Sequence, residues 1–350
     1  MKLFVRTTLL TIFVIALLAP AAALAQDECF GLSEADCALI MNVGPATPGS
    51  AAFSYTFGLT LKSDDVMSVT SEGTGNVTID PTAEDPLKGF NLVLSATFQS
   101  EDEEMAAELR IIDGTLYLQD AETGQWKFAP LAEVIARSGI SMDMMNPEML
   151  AGKTGEMSEM LEELGPLADV VMNHYSIVRG ADKELNGGTV AVFESNYDVA
   201  GLLADPELTS GFTEMIKAKP ELLGEMGMGD ASTMTEEEIE QAASGMGMFV
   251  MMFNMMLQEP KLSWNTYVNP ETGDFAGLDL YLAMRIDVSA MGMGGGDDVS
   301  EPIDLETTFG FYAGDYGATF EYVVPDGAVE MSGEELDEMF GAAEALQPGL

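Results

Sequence analysis

GMGMFVMMFNMML, residues 245–257, decides how the rest of the chain is read. The stretch is apolar and rich in Met, with Phe249 and Phe253 among them. Coiled as a helix it spans about 20 Å, short of the roughly 30 Å hydrocarbon core of a bilayer. The stretch therefore reads as buried in protein, or against something apolar that the protein carries. Thr235 followed by Glu238 has the spacing of a capping box, and the acids Glu236–Glu238 suit the positive end of a helix. That helix either runs into the Met-rich stretch or breaks at Gly245 and Gly247, and Pro260 ends it.

On the C-terminal side the pattern is β. Lys261–Val268 is strand-like, Asn269–Gly273 is a turn, and Phe275–Val288 alternates Leu278, Leu280, Leu282 and Met284 on one face. Met291–Asp298 reads as a loop. Ile303–Tyr312 and Ala318–Val324 read as a hairpin turning at Gly314–Gly317, followed by a short acidic helix and tail over 331–350. On the N-terminal side, a second helical block runs back to Val199, preceded by a hairpin whose turn is Asn186-Gly187-Gly188. Before that lies a Met- and Glu-rich helical block, about 130–172. The chain opens its folded part with an antiparallel meander: Ala52–Leu61 alternates Phe53, Tyr55, Phe57, Leu59 and Leu61. Val66–Ile79 is strand around a Gly-containing break, SEGTGN. Phe90–Phe98 alternates again, and Asp113-Gly114 between two apolar runs marks a hairpin.

The flanking β regions are alike in character. They predict an α+β fold with one sheet, into which helices are inserted at about 130–172 and 199–257 as a cover. The expected division is 1–25 leader, 26–50 lead-in, 51–330 sheet domain and 331–350 acidic tail.

Residues 1–25 have the form of a signal peptide: Lys2 and Arg6, an apolar run over Leu9–Leu18, then Ala23-Leu24-Ala25. The chain is expected to be exported, periplasmic or extracellular, and soluble. Cys29 does not follow the cut directly, as a lipid anchor would require, which leaves an anchored form as the minor reading. Cys29 and Cys37 are the only cysteines, and an oxidising compartment favours a disulfide between them over two free thiols. The net charge of −45 repels phosphate backbones and speaks against a nucleic-acid partner.

Three segments resemble the LolA-like superfamily, including its LppX/LprG type of mycobacterial carriers: GTLYLQDAETGQWKF (Gly114–Phe128), LNGGTVAVFESNYDV (Leu185–Val199) and WNTYVNPETGDFAGLDLYLAM (Trp264–Met284). They are similar to the family's strand pairs and to its hairpin leading into a helix. The resemblance implies a strongly curved antiparallel half-barrel with helices over its concave apolar face, and a lipid or lipoprotein acyl chain bound between. This chain departs from the pattern in lacking an anchor Cys at the cut and in the length of its Met-rich blocks.

Methionine, 26 residues in all, is the compositional anomaly. Its flexible side chain fits irregular apolar shapes and adaptable binding surfaces. Phe249, Met252, Phe253 and Met256 fall at i, i+3, i+4 and i+7 on one helical face. They are ordinary core on the plain reading and ligand lining on the functional one. Trp126 and Trp264 lie on strands, either packed or at a cavity mouth. A third reading is a copper(I) binder: Met-x-Met recurs, and Met226, Met228, Met291 and Met293 sit in loops able to fold around an ion. With one His, His174, and no nucleophile, zinc or phosphate-loop motif, the sequence predicts neither an enzyme nor a resident cofactor. The partner expected is a hydrophobic small molecule or lipid, with lipoproteins or a membrane surface as transient contacts. The alternative is a secreted structural or interaction protein with a solid core.

Overall fold

The computed structural model describes residues 29–43, 49–63, 66–80, 82–100, 103–121, 123–138, 166–218, 220, 235–287 and 302–340, without the side chains of 138, 166, 236, 238, 243, 246, 247, 249 and 338–340. The N-terminal meander consists of Ser50–Lys62 (β1), Val66–Ile79 (β2), Phe90–Ser100 (β3), Glu104–Ile112 (β4), Thr115–Gln119 (β5) and Trp126–Pro130 (β6). The second half consists of Tyr175–Arg179 (β7), Lys183–Leu185 (β8), Gly188–Tyr197 (β9), Leu257–Val268 (β10), Phe275–Ile286 (β11) and Ile303–Gly314 (β12). A last short strand is Val329–Glu330 (β13).

They form one open, curved sheet in the order β13-β6-β5-β4-β3-β2-β1-β12-β11-β10-β9-β7, with β8 paired to β9. The halves are joined by β1 and β12, antiparallel from Ala52–Gly314 to Lys62–Asp304. Every pairing is antiparallel except β13 with β6, so the sheet is mixed. The two hairpin turns read from Asp-Gly and Asn-Gly form as expected. Asp113 and Gly114 (φ 48° and 73°) and Asn186 and Gly187 (φ 51° and 80°) take the paired positive φ of a type I′ turn.

The helices are Glu34–Met41 (α1), Pro86–Gly89 (α2), Leu131–Ser138 (α3), Pro166–Asn173 (α4), Val199–Ala204 (α5), Pro206–Ala218 (α6), Glu236–Met256 (α7) and Gly333–Phe340 (α8). A disulfide joins Cys29 to Cys37 and ties the chain entry to α1, whose Ser33 cap accepts from Asp36 N. Ile40 of α1 packs on Ile177, Ala191, Phe193 and Val268 at the β7–β9–β10 end of the sheet. At the other end, Leu131 and Ile135 of α3 and Leu336 of α8 pack on Leu116, Leu118 and Ala129. Leu336 is 1% exposed, a burial that contributes roughly 2–3 kcal/mol. Helices α4–α7 share their own small core of Leu167, Val170, Leu208 and Val250.

Three local expectations are corrected. First, SEGTGN is no break: β2 runs through it, paired to β1 and β3 on both sides. Second, Ala318–Val324 forms no strand, because β12 already has β1 and β11 on its two edges. The segment instead crosses the sheet, held by Tyr322 OH to Thr78 Oγ1 (2.8 Å) and by Arg110 Nη1 donating to Val323 O (2.6 Å), until Met331 N donates to Phe128 O. Third, Pro260 does not end α7: the helix takes the continuous course of its two alternatives, through Gly245 and Gly247, and stops at Met256. Strand β10 already begins at Leu257, with Glu259 (φ 49°) and Pro260 taken up in a bulge where no ladder N–H is needed.

Candidate functional site

Strand pairing assigns every side chain to one of two faces, because neighbours in register share a face and the face alternates along each strand. One register row reads Met105, Phe98, Ser71, Phe57, Phe309, Leu280 and Trp264 across β4, β3, β2, β1, β12, β11 and β10. The next row on that face contains Ala96, Gly73, Tyr55, Phe311 and Leu278. This face is apolar from one side of the sheet to the other, and α1, α3 and α8 lie against its two ends.

The middle of the face is closely packed. Tyr55, Leu94, Ala96, Phe98 and Phe309 are all buried. The packing depends on two glycines of β2. A Cβ on Gly73 would stand 2.5 Å from Tyr55 Cε1, and one on Gly75 would stand 2.5 Å from Phe53 Cζ. The missing side chains let the two β1 rings lie over β2. Tyr55 OH pairs with buried Ser71 Oγ at 3.0 Å, and burial pushes the phenol pKa up, the Ser71 bond opposing only part of that. Burial does the same to Tyr175, which pairs with Ser195, and raises Tyr197 to about 12. All three phenols stay neutral.

Toward the β1–β2 turn the face opens. Leu59, Leu61, Leu282, Met284 and Leu305 are half-buried, and Met67, opposite Leu61, is 50% exposed. Helix α7 arrives at this same rim. Its last residue, Met256, accepts from Asp287 N, and the chain passes directly into Leu257, opposite Ile286.

The candidate residues do not form one lining. Trp264 is on the apolar face, stacked on Tyr175 at 5.5 Å and 14°. Trp126 is on the opposite, polar face, where the Arg110 guanidinium lies 4.8 Å from its ring centroid. Its register partner is Gln119, one step out of phase with apolar Leu118, and that single residue of phase reverses the face.

On α7, the inward residue is Val250, 7% exposed, packed with Leu167 and Leu208. Met248, Met251 and Met255 form the outward face at 73%, 64% and 54% exposed. Met252, Phe253 and Met256 are half-buried on the flank between these two faces. Phe249 shares that flank by helical position, and its side chain lies outside the described residues. The copper candidates Met226, Met228, Met291 and Met293 also lie outside them. His174 joins α4 to β7, with Nε2 3.1 Å from Asp205 Oδ2. That contact, first of all, holds the Asp205 carboxyl below its usual range.

Sequence reasoning missed Gly73, Gly75, Val250 and the rim at Leu61, Met67 and Met284. The glycines had a signal: β2 carries Gly opposite two of the three rings that β1 places on this face, Phe53 and Tyr55.

Among the described residues no helix is long and apolar enough to cross a membrane. Although α7 has 21 residues, its first turns carry Glu236, Glu237, Glu238 and Glu240. No protein-family model and no curated protein matches the chain. Similar solved structures include the Mycobacterium tuberculosis lipoprotein LppX, at 5% identity over 77% of this chain and 88% of that one, TM-score 0.24. A DUF1329 family protein from Desulfovibrio piger is 7% identical over 79% and 89%, TM-score 0.19. A LolA superfamily protein from Nitrosomonas europaea is 8% identical over 79% and 88%, TM-score 0.13. The superfamily that the three sequence segments resemble is thus represented among them. At these scores the likeness carries nothing about ligand, partner or role, and the α+β, open-sheet architecture stands on strand order and register.

Proposed function

We propose that this chain is an exported carrier that holds a hydrophobic ligand, a lipid or an acyl chain, against the apolar face of its sheet. One observation carries the reading: the largely apolar face, with Ser71 buried and bonded to Tyr55, extends across the sheet and ends in a partly exposed rim of Leu59, Leu61, Met67, Leu282 and Met284. Each methylene of an acyl chain moved from water onto such a surface contributes about 0.8 kcal/mol. A short contact therefore gives useful affinity without polar recognition. The Met-rich end of α7 at the same rim supplies side chains that adapt to chains of different shape. We place the site within residues 51–330, with Phe249, Met252, Phe253, Met256 and Trp264 at its edge. The signal-like 1–25 segment delivers the protein outside the cytoplasm. Nothing in this reading calls for catalysis.

The second reading is a secreted interaction protein with a solid interior. The burial of Tyr55, Phe98 and Phe309 at the centre of the face favours it. Native mass spectrometry of the purified protein, followed by lipid extraction, separates the two. Co-purifying lipid and saturable uptake of a fluorescent acyl probe are expected. Absence of both removes the carrier reading and leaves the solid interior.

A further inference from the structure

A cavity of about 710 Å³ lies on the other face of the sheet, away from the apolar rows. That volume falls within the range of small-molecule sites. Its floor is the register row Tyr312, Ser54, Thr74 and Ser95 across β12, β1, β2 and β3, with Asn76 in the next row. None of Ser54, Thr74, Ser95 and Asn76 has a side-chain hydrogen bond to another described residue.

One wall is the β8–β9 turn. A small core of Val190, Val192 and Tyr267, with Leu185 and Ala276 against it, holds this hairpin over the polar face. The turn places Asn186 Nδ2 3.5 Å from where a Cβ of Gly314 would be. The other wall is Gly314–Tyr316, fixed by Tyr316 OH donating to Phe275 O and by Gly317 N donating to Ser50 O (2.9 Å). The Tyr312 ring is held in place: its hydroxyl donates to Asp279, which also accepts from Tyr267 OH at 2.6 Å. Gly277 clears the space beneath it, since a Cβ there would stand 2.7 Å from Tyr312 Cδ1.

The lining narrows the ligand class. An apolar ligand would cover hydroxyls and an amide that have no side-chain partner among the described residues, at about 1–3 kcal/mol for each group left unsatisfied. An anion would meet Asp274 and Asp315, with no Lys or Arg among the lining residues, in a chain of net charge −45. A neutral polyhydroxylated ring meets both conditions. Its hydroxyls donate and accept in turn against Ser54, Thr74, Ser95, Asn76 and Asn186, and its apolar ring face can lie on a fixed aromatic ring. The strand backbone, the Tyr312 ring and the Gly314–Tyr316 wall are fixed before binding, so ordering falls on the short floor side chains.

We propose that this groove binds a neutral saccharide, independently of any ligand on the apolar face. The test uses the full secreted chain on an array of neutral and acidic oligosaccharides, followed by saturation-transfer NMR on the best neutral ligand. Binding to one or more neutral glycans is expected, weakened at least about tenfold in a Thr74→Val/Asn76→Leu variant. Both positions are on the open face of an internal strand, and circular dichroism of the variant is expected to match the parent. Asn186→Gly, which removes the amide and keeps the positive φ of the turn, gives a second variant that weakens the same binding. Silence across the neutral glycans overturns the proposal, as does preference for acidic glycans or full binding in both variants. Lipid extraction gives the same result in parent and variants, so loss of this site is distinguishable from failure of the carrier reading.

Discussion

Gly73→Ala tests whether the apolar face is built as described. Elsewhere on a strand, replacing Gly by Ala stabilises by about 0.4–1 kcal/mol, because the unfolded chain loses freedom. Here the new methyl would lie 2.5 Å from Tyr55 Cε1 and 2.8 Å from the Ser95 carbonyl oxygen. Tyr55 cannot swing away cheaply: it is 7% exposed, and its hydroxyl is bonded to Ser71, itself 4% exposed. Overpacking of this kind costs about 1–3 kcal/mol, which exceeds the unfolded-state gain. The sign of the effect is therefore diagnostic. A net loss of about 1–2 kcal/mol with a urea slope of roughly 3 kcal/mol/M lowers the unfolding midpoint by about 0.3–0.7 M. The double variant with Tyr55→Ala is expected to show a coupling of about 1 kcal/mol, since the ring half of the clash is gone and the carbonyl half remains. A midpoint that rises in Gly73→Ala, or strict additivity with Tyr55→Ala, would refute the packing of β1 rings over β2 glycines.

The remaining predictions concern the helices, the charge network and the two tryptophans. Val250→Ala is expected to cost about 2 kcal/mol in urea unfolding, whereas Met251→Ser on the exposed side of α7 stays within about 0.5 kcal/mol. Equal costs would mean the helix is rotated. Glu335 is held at about 2, below its unfolded 4.5, by Lys127 first and then by the backbone N–H and hydroxyl of Ser332. A depressed carboxylate stabilises above its unfolded pKa, and that contribution fades as pH falls from 4.5 toward about 2. The stability gap between wild type and Glu335→Gln should therefore be flat above this window and close within it. A gap unchanged at acid pH would count against the Lys127–Glu335–Ser332 arrangement. If an acyl probe binds the apolar face, its quenching of tryptophan emission should survive Trp126→Phe and vanish in Trp264→Phe. The reverse pattern would place the ligand on the polar face.

What was readable in the sequence was what neighbours in sequence determine. Asp113-Gly114 and Asn186-Gly187 carry their turn geometry in two residues each. The short acidic helix read after residue 331 forms as α8, and its start is equally local: Ser332 and Glu335, three apart, cap it reciprocally. The alternation of Ala52–Leu61 and of Leu278, Leu280, Leu282 and Met284 put these side chains on one face, and the strand registers put them there too. What failed depended on partners far along the chain. Phe320, Tyr322 and Val324 alternate as a strand would, but whether a strand forms depends on a free edge, and β12 had none. Trp126 and Trp264 look equivalent by residue type, yet their faces follow from registers set by Gln119 and Leu280. On α7 the Met and Phe spacing identified a helix but not its rotation. In a segment apolar on every side, Val250 turns inward because α4 and α6 meet it there.

The same device recurs on both faces of the sheet. On the apolar side, Gly73 and Gly75 of β2 give room to Tyr55 and Phe53 of β1. On the polar side, Gly277 of β11 gives room to Tyr312 of β12, and Gly310 leaves Thr56 and Asp279 uncrowded. In each case an aromatic ring leans sideways over a neighbouring strand instead of standing away from the sheet. That smooths the apolar face and keeps the polar groove open beside the Tyr312 ring. Glycine in a strand interior weakens the strand by about 0.5–1 kcal/mol relative to Ala. The rings offset that weakness locally by covering the exposed backbone. The glycines of β2, which a local reading takes for a break, and Gly277 of β11, inside a segment it takes for strand, are therefore the positions at which the sheet sets the shape of both its faces.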